Sequence, residues 1–95
     1  MRRAAKIDAN QPAVVEALRR IGAAVTPLHT VGNGVADLLV SYRQAWMVME
    51  VKDGALPPSK RTHTELERAW IAQQRAPVFI VTNPIEAIDV ARRVR

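Results

Sequence analysis

Two apolar runs decide the fold: Ala36-Asp37-Leu38-Leu39-Val40-Ser41 and Trp46-Met47-Val48-Met49-Glu50-Val51-Lys52, separated by Tyr42-Arg43-Gln44-Ala45. Short apolar runs bounded by turn residues read as strands, and Gly32-Asn33-Gly34 supplies the turn signal ahead of the first. The pair reads as a β-hairpin, although its loop lacks the Asn-Gly chemistry of the tightest turns. A loop centred between Arg43 and Gln44 sets Asp37 opposite Glu50, Leu39 opposite Val48 and Ser41 opposite Trp46. Directly opposed residues carry Cβ atoms about 4.5–5.5 Å apart. Lys52 lies two residues beyond Glu50, so both side chains leave the same face of the strand. The pattern therefore puts two carboxylates and a lysine together at one end of an apolar hairpin.

Upstream, Gln11 to Ile21 carries Val14, Val15, Leu18 and Ile21 at helical spacing. Asn10 or Asp8 is a suitable cap, Pro12 suits the first turn, and Gly22 is the natural stop. Ala24 to His29 reads as a short strand that Pro27 confines to an edge. Downstream, Gly54 to Thr62 reads as an exposed basic loop. Thr64-Glu65-Leu66-Glu67 fits a capping box, and Leu66, Ala69, Trp70 and Gln73 form one stripe of the helix that follows. Val78 to Thr82 reads as a buried strand. Asn83-Pro84-Ile85-Glu86 opens a last helix, which ends on cations where the dipole favours them. The order is helix, three strands, helix, strand, helix. The expected fold is α/β, a small mixed sheet flanked by helices in one domain spanning residues 1–95.

The chain has 95 residues, 14 Lys and Arg against 9 Asp and Glu, and a formal charge of +5. The basic excess favours polyanionic partners. A chain this short buries only roughly 60–65% of its unfolded surface, which suits an oligomer. Cysteine is absent, which excludes disulfides, thiolate zinc sites and cysteine nucleophiles. No apolar run approaches the roughly 18 residues of a membrane span, and no long apolar stretch follows the basic start. The expected location is cytoplasmic, in a bacterial host cell or at its nucleoid. Residues 1–8, with Arg2, Arg3 and Lys6, read either as a flexible arm gripping DNA or as a plain tail.

Adjacent carboxylates repel and raise one another's pKa unless something positive lies between them. A divalent cation does this well, and Mg²⁺ in particular uses one or two carboxylates and keeps waters and phosphate oxygens. Asp37 and Glu50, with the Val51 carbonyl as a third oxygen ligand, form the expected metal seat. Lys52 is placed to orient or deprotonate a water, or to stabilise charge on a phosphate. A Glu-x-Lys pair on a strand also suits an ordinary cross-paired surface, so spacing alone leaves both readings open.

Gly34-Val35-Ala36-Asp37-Leu38-Leu39-Val40 and Met49-Glu50-Val51-Lys52-Asp53-Gly54 together resemble the Asp…Glu-x-Lys core of the PD-(D/E)XK nuclease superfamily. More narrowly, the chain resembles small stand-alone VRR-NUC nucleases, many phage-encoded, related to Holliday junction resolvases. The likeness runs from Asp8-Ala9-Asn10-Gln11 to Asn83-Pro84-Ile85-Glu86-Ala87, most of the chain. It implies an α-β-β-β-α-β core, Mg²⁺ or Mn²⁺ as cofactor, and DNA cleavage. It also implies Asp37 and Glu50 as metal ligands and Lys52 as the catalytic lysine. Where the family's first helix often points a glutamate at the metal, this chain has Gln11, with Glu16 further along. Ala36 replaces the family's proline, and Glu67 takes the downstream-helix position of a Gln or Glu.

Other constellations are weak. His29 and His63 have no cysteine partners for zinc, and no Ser-His-acid triad or Gly-rich phosphate loop occurs. Lys60, Arg61, His63 and Arg68, with Arg75, are the expected phosphate contacts, read against ordinary solvated charge. The leading expectation is a homodimeric, metal-dependent DNA endonuclease selective for branched structures, serving recombination, repair or phage replication. The alternatives are a nucleic-acid-binding module with weak or no catalysis, motivated by Gln11, and a partner-binding protein whose charge serves solubility.

Overall fold

The structure is a computed structural model and describes residues 7–95. The expected arm at Arg2, Arg3 and Lys6 lies outside the described residues. Helix α1 (Gln11–Arg20) is followed by strands β1 (Ala24–Pro27), β2 (Leu38–Tyr42) and β3 (Ala45–Val51). A single 3-10 turn (Pro58–Lys60) leads to α2 (Glu65–Gln73), β4 (Val78–Val81) and α3 (Pro84–Arg93). The mixed four-stranded sheet has the order β1-β2-β3-β4, with β3 and β4 parallel and the other pairs antiparallel. This is the expected mixed α/β fold. Among the described residues, no helix is long and apolar enough to cross a membrane.

The hairpin register is the one the sequence pattern implies: Leu39 faces Val48 and Ser41 faces Trp46. The turn itself is tighter than its residues suggest. Arg43 and Gln44 both take positive φ, 50° and 68°, a conformation usually left to Asn-Gly. The Arg43 guanidinium lies 4.9 Å from the centre of the Tyr42 ring, a cation–π contact beside the turn.

Alternation along the strands splits the sheet into two faces. Leu38, Val40, Ala45, Met47, Met49 and Val51 point to one side, where Val14, Val15 and Leu18 of α1 and Ala87, Val90 and Ala91 of α3 cover them. The other side carries Trp46, Val48 and Glu50 of β3 and Ile80 of β4. No residue of α2 is buried, and Leu66 is 62% exposed. On this side the structure also departs from one expectation. The Val78 to Thr82 run is not wholly buried either: Ile80 is 43% exposed and only Val81 is fully enclosed. Both results have one cause: β4 is an edge strand, and α2 does not seal the face on which Ile80 lies.

Gly34 explains where α2 does touch. Its φ is +81°, and a Cβ there would lie 2.2 Å from the Leu66 carbonyl oxygen. Glycine thus lets the turn before β2 press against the first turn of α2. The helix start is the predicted capping box: Thr64 Oγ1 accepts from the Glu67 N–H, and Glu67 Oε1 accepts from the Thr64 N–H.

Asn10 occupies the cap position of α1, but its side chain makes no cap bond. Its amide instead donates to the Lys52 and Thr82 carbonyls at 3.0 and 2.9 Å. The Asp8 carbonyl accepts from the Gln11 N–H. At α3, Asn83 caps as expected, whereas Glu86 reaches past it and accepts from the Thr82 N–H and hydroxyl. The Thr82 hydroxyl and amide, helped by the nearby Arg61 charge, hold the Glu86 carboxyl below its ordinary range.

Candidate metal centre

Three segments meet where β3 ends. Asp37 stands just before β2, and its Oδ2 accepts from the Val51 N–H at 2.7 Å. The Asp37 carbonyl accepts from the Leu28 N–H, also at 2.7 Å, which fixes the backbone on the other side. Glu50 is on β3 and is 1% exposed. Lys52 follows β3, and its main chain is held by the bonds to Val81 and Asn10. Its Nζ donates to Glu67 Oε1 at 2.9 Å, and both side chains are largely buried.

Glu50 is the anomaly. Among the described residues, no donor reaches either carboxylate oxygen. Its polar neighbours include the Asp37 and Glu67 carboxyls, which bond to it only by sharing a proton. Burial first, then this crowding, pushes the Glu50 carboxyl up to about 10. Glu67 moves the other way. Burial alone would raise it, but its bonds with Glu50, the Thr64 N–H and Lys52 prevail and bring it to about 2. The two shifts are opposed: the surroundings favour the protonated form of Glu50 and the ionised form of Glu67 beside Lys52.

Asp8, ahead of α1, belongs to the same corner. Burial and the negative charge of Asp37 raise its pKa, with Lys52 opposing and Asp53 and Glu67 adding. A chain of net charge +5 therefore gathers Asp8, Asp37, Glu50, Asp53 and Glu67 at one end of the sheet. One lysine does not balance them.

The expected site residues are placed unevenly. Asp37, Glu50 and Lys52 come together as the register implied. Val51 joins them through its N–H, bonded to Asp37, with the residue 1% exposed. Gln11 is buried next to Asn10, and its Oε1 has no partner. Glu16 is not part of the centre: it lies exposed on α1 and pairs with Arg20. Lys60 is exposed on the 3-10 turn, and Arg61 is half-buried beside Glu86. Arg68 is exposed but folds back to donate to the His63 carbonyl at 3.2 Å. Arg75 lies at the far end of α2, beside Trp70 and Val48, away from the acids.

His63 is placed differently from a phosphate contact. Its Nδ1 is shut off from solvent without a partner. One ligand atom each from Glu50, His63 and Glu67 lie within 4.8 Å of one another, a spacing that can hold a metal ion. Sequence reasoning assigned His63 to DNA and did not give Glu67 or Asp8 a metal role. The capping box marked Glu67 as a helix-start residue, but nothing in the local pattern says that this helix start folds against Glu50. No protein-family model, curated protein or solved structure matches the chain.

Proposed function

We propose that the chain is a divalent-metal-dependent nuclease of the PD-(D/E)XK kind, hydrolysing DNA phosphodiester bonds with a preference for branched structures. The observation that carries the reading is Glu50: a fully buried carboxyl without a donor, between Asp37 and Glu67 and two residues from Lys52. A buried carboxylate is costly unless paired or bound to a metal, so this donor set fits a hard or borderline divalent cation. Asp37 and Glu50 would hold it, with the Glu67 carboxylate beside them. Once bound, such an ion polarises a phosphate and lowers the pKa of a coordinated water.

The residues around it divide the remaining work. Val51 N–H orients the Asp37 carboxylate. Asn10 fixes the main chain of Lys52 through its carbonyl. The Lys52 ammonium stabilises charge developing on a phosphate oxygen or orients the attacking water. Lys60 and Arg61, on the segment leading into α2, and Arg68, within α2, supply positive charge for the backbone without reading sequence. Trp46 and Ile80, exposed on the same face beyond the acids, support pairing of two copies, one per strand of a branched substrate.

The test is cleavage of labelled junction, flap, duplex and single-stranded DNA with Mg²⁺ or Mn²⁺. Lys52→Ala is expected to slow cutting by about 10²–10⁴-fold, the usual contribution of a positioned proton-transfer group. Asp37→Ala and Glu50→Ala are expected to abolish metal-dependent cutting. If no substrate is cut, or the three variants cut like the parent, the nuclease reading fails. Salt-sensitive DNA binding without cutting would instead favour the non-catalytic module that Gln11 suggests.

A further inference from the structure

We infer that Glu50, Glu67 and His63 form a cation centre of two carboxylates and one imidazole, and that its cation takes Glu67 from Lys52 and frees the lysine. This rests on the metal-dependent reading and deepens it. Two of its three donors come from the segment that opens α2 rather than from the hairpin.

Geometry supports the donor set. The three ligand atoms lie within 4.8 Å of one another, about the span of donors held at 2.0–2.6 Å from one ion. Two of the three side chains carry orphaned atoms, for independent reasons. Glu50 is 99% buried within the sheet with both oxygens unpartnered, and His63 Nδ1 is enclosed by a different segment without a partner. An orphaned carboxylate beside an orphaned imidazole nitrogen is what a cation satisfies and a surface pair does not. Each donor is also supported. Glu67 is held by the Thr64 N–H at 2.7 Å, and the His63 carbonyl by Arg68 at 3.2 Å.

The exchange follows from Glu67 Oε1. That one oxygen already accepts from Thr64 N–H and from Lys52 Nζ. A dication sharing the carboxylate repels the ammonium at short range and competes for the same lone pairs. Lys52 then leaves by side-chain rotation alone, since its main chain stays bonded to Val81 and Asn10. The imidazole also sets the choice of ion. Mg²⁺ prefers oxygen ligands, whereas first-row transition metals accept nitrogen, so the centre favours Mn²⁺, Co²⁺ or Zn²⁺.

The experiment uses the full chain and needs no DNA. Bound Mn²⁺ is examined by electron paramagnetic resonance for coupling to an imidazole nitrogen, in the parent, His63→Ala and His29→Ala. Coupling is expected in the parent and in His29→Ala, and not in His63→Ala. His63→Ala is also expected to weaken Mn²⁺ by at least ~10-fold, since losing even an outer support typically costs that much. In parallel, acylation of Lys52 by a water-soluble succinimidyl ester, read by mass spectrometry, is expected to rise several-fold when Mn²⁺ is added. Mn²⁺ bound by the parent without nitrogen coupling overturns the ligand set, whether or not His63→Ala folds. Unchanged Lys52 labelling overturns the exchange. A protein that shows both signals but cuts no DNA overturns the nuclease reading and leaves this centre standing. DNA cutting with nitrogen-free Mn²⁺ does the reverse, and no Mn²⁺ binding at all overturns both.

Discussion

Leu38 and Glu50 are equally buried, at 0% and 1% exposure, yet they belong to opposite faces of one sheet. The Leu38 face is closed by α1 and α3 over a continuous cluster of apolar side chains. The Glu50 face is closed at one end only, and there by acids, an imidazole and a lysine. Burial on the first face stabilises the fold. On the second it costs stability and leaves the Glu50 oxygens and His63 Nδ1 without partners among the described residues. Sites are commonly built this way, at the expense of the free protein.

The widest separation between the faces should come from single substitutions. Leu38→Ala is expected to cost about 2–5 kcal/mol in denaturant unfolding, through lost contacts and a cavity. Glu50→Gln is expected to cost nothing or to stabilise at neutral pH, because it replaces an unpaired buried carboxyl with a neutral group of similar size. A large loss in Glu50→Gln would end the contrast.

Gly34→Ala probes how the second face is closed. The new Cβ meets the α2 backbone and φ is unfavourable for alanine, so about 1–3 kcal/mol should be lost. Hydrogen exchange in α2 should accelerate. Gly22→Ala is the control, with φ +99° but nothing within 4 Å of the new Cβ. It should cost less and leave α2 unaffected.

The β2–β3 turn offers a smaller effect of opposite sign. Arg43→Asn together with Gln44→Gly should raise stability by about 1 kcal/mol, because both positions already have positive φ. No gain in chemical denaturation would show that the Arg43–Tyr42 contact offsets the strain.

The pH dependence should be the subtlest signature. Glu50 has its pKa raised from 4.5 to about 10, so its contribution to stability is full below about pH 4.5 and is lost as pH rises toward 10. Glu67 is lowered to about 2, so its contribution is present above 4.5 and is lost as pH falls toward 2. Melting temperatures of the parent should therefore decline between about pH 5 and 9 more steeply than those of Glu50→Gln. Added Mn²⁺ should raise the parent's melting temperature more at the alkaline end. Parallel profiles would remove Glu50 as the source.

The hairpin was legible because alternation and a central loop admit one register, so Asp37, Glu50 and Lys52 followed from it. The caps at Thr64 and Asn83 were legible because each is satisfied within four residues. The Val78 to Thr82 run was misjudged because an apolar pentapeptide does not say whether a neighbouring helix covers it. Glu16 has the right chemistry for a metal but points to solvent, and Asp8, read in the sequence only as a helix cap, comes to the acidic corner.

Local chemistry thus settled the elements, the order of the strands in the hairpin and the acid–acid–lysine core, since backbone periodicity and capping act over a few residues. Tertiary structure alone decided that Glu67 and His63 face Glu50, that Asn10 holds Lys52 rather than its own helix, and that Glu50 is enclosed among other carboxyls. Those relations depend on where α1 and α2 dock, and docking depends on contacts such as Gly34 against Leu66. Such contacts join residues too far apart in the chain for any local pattern to record.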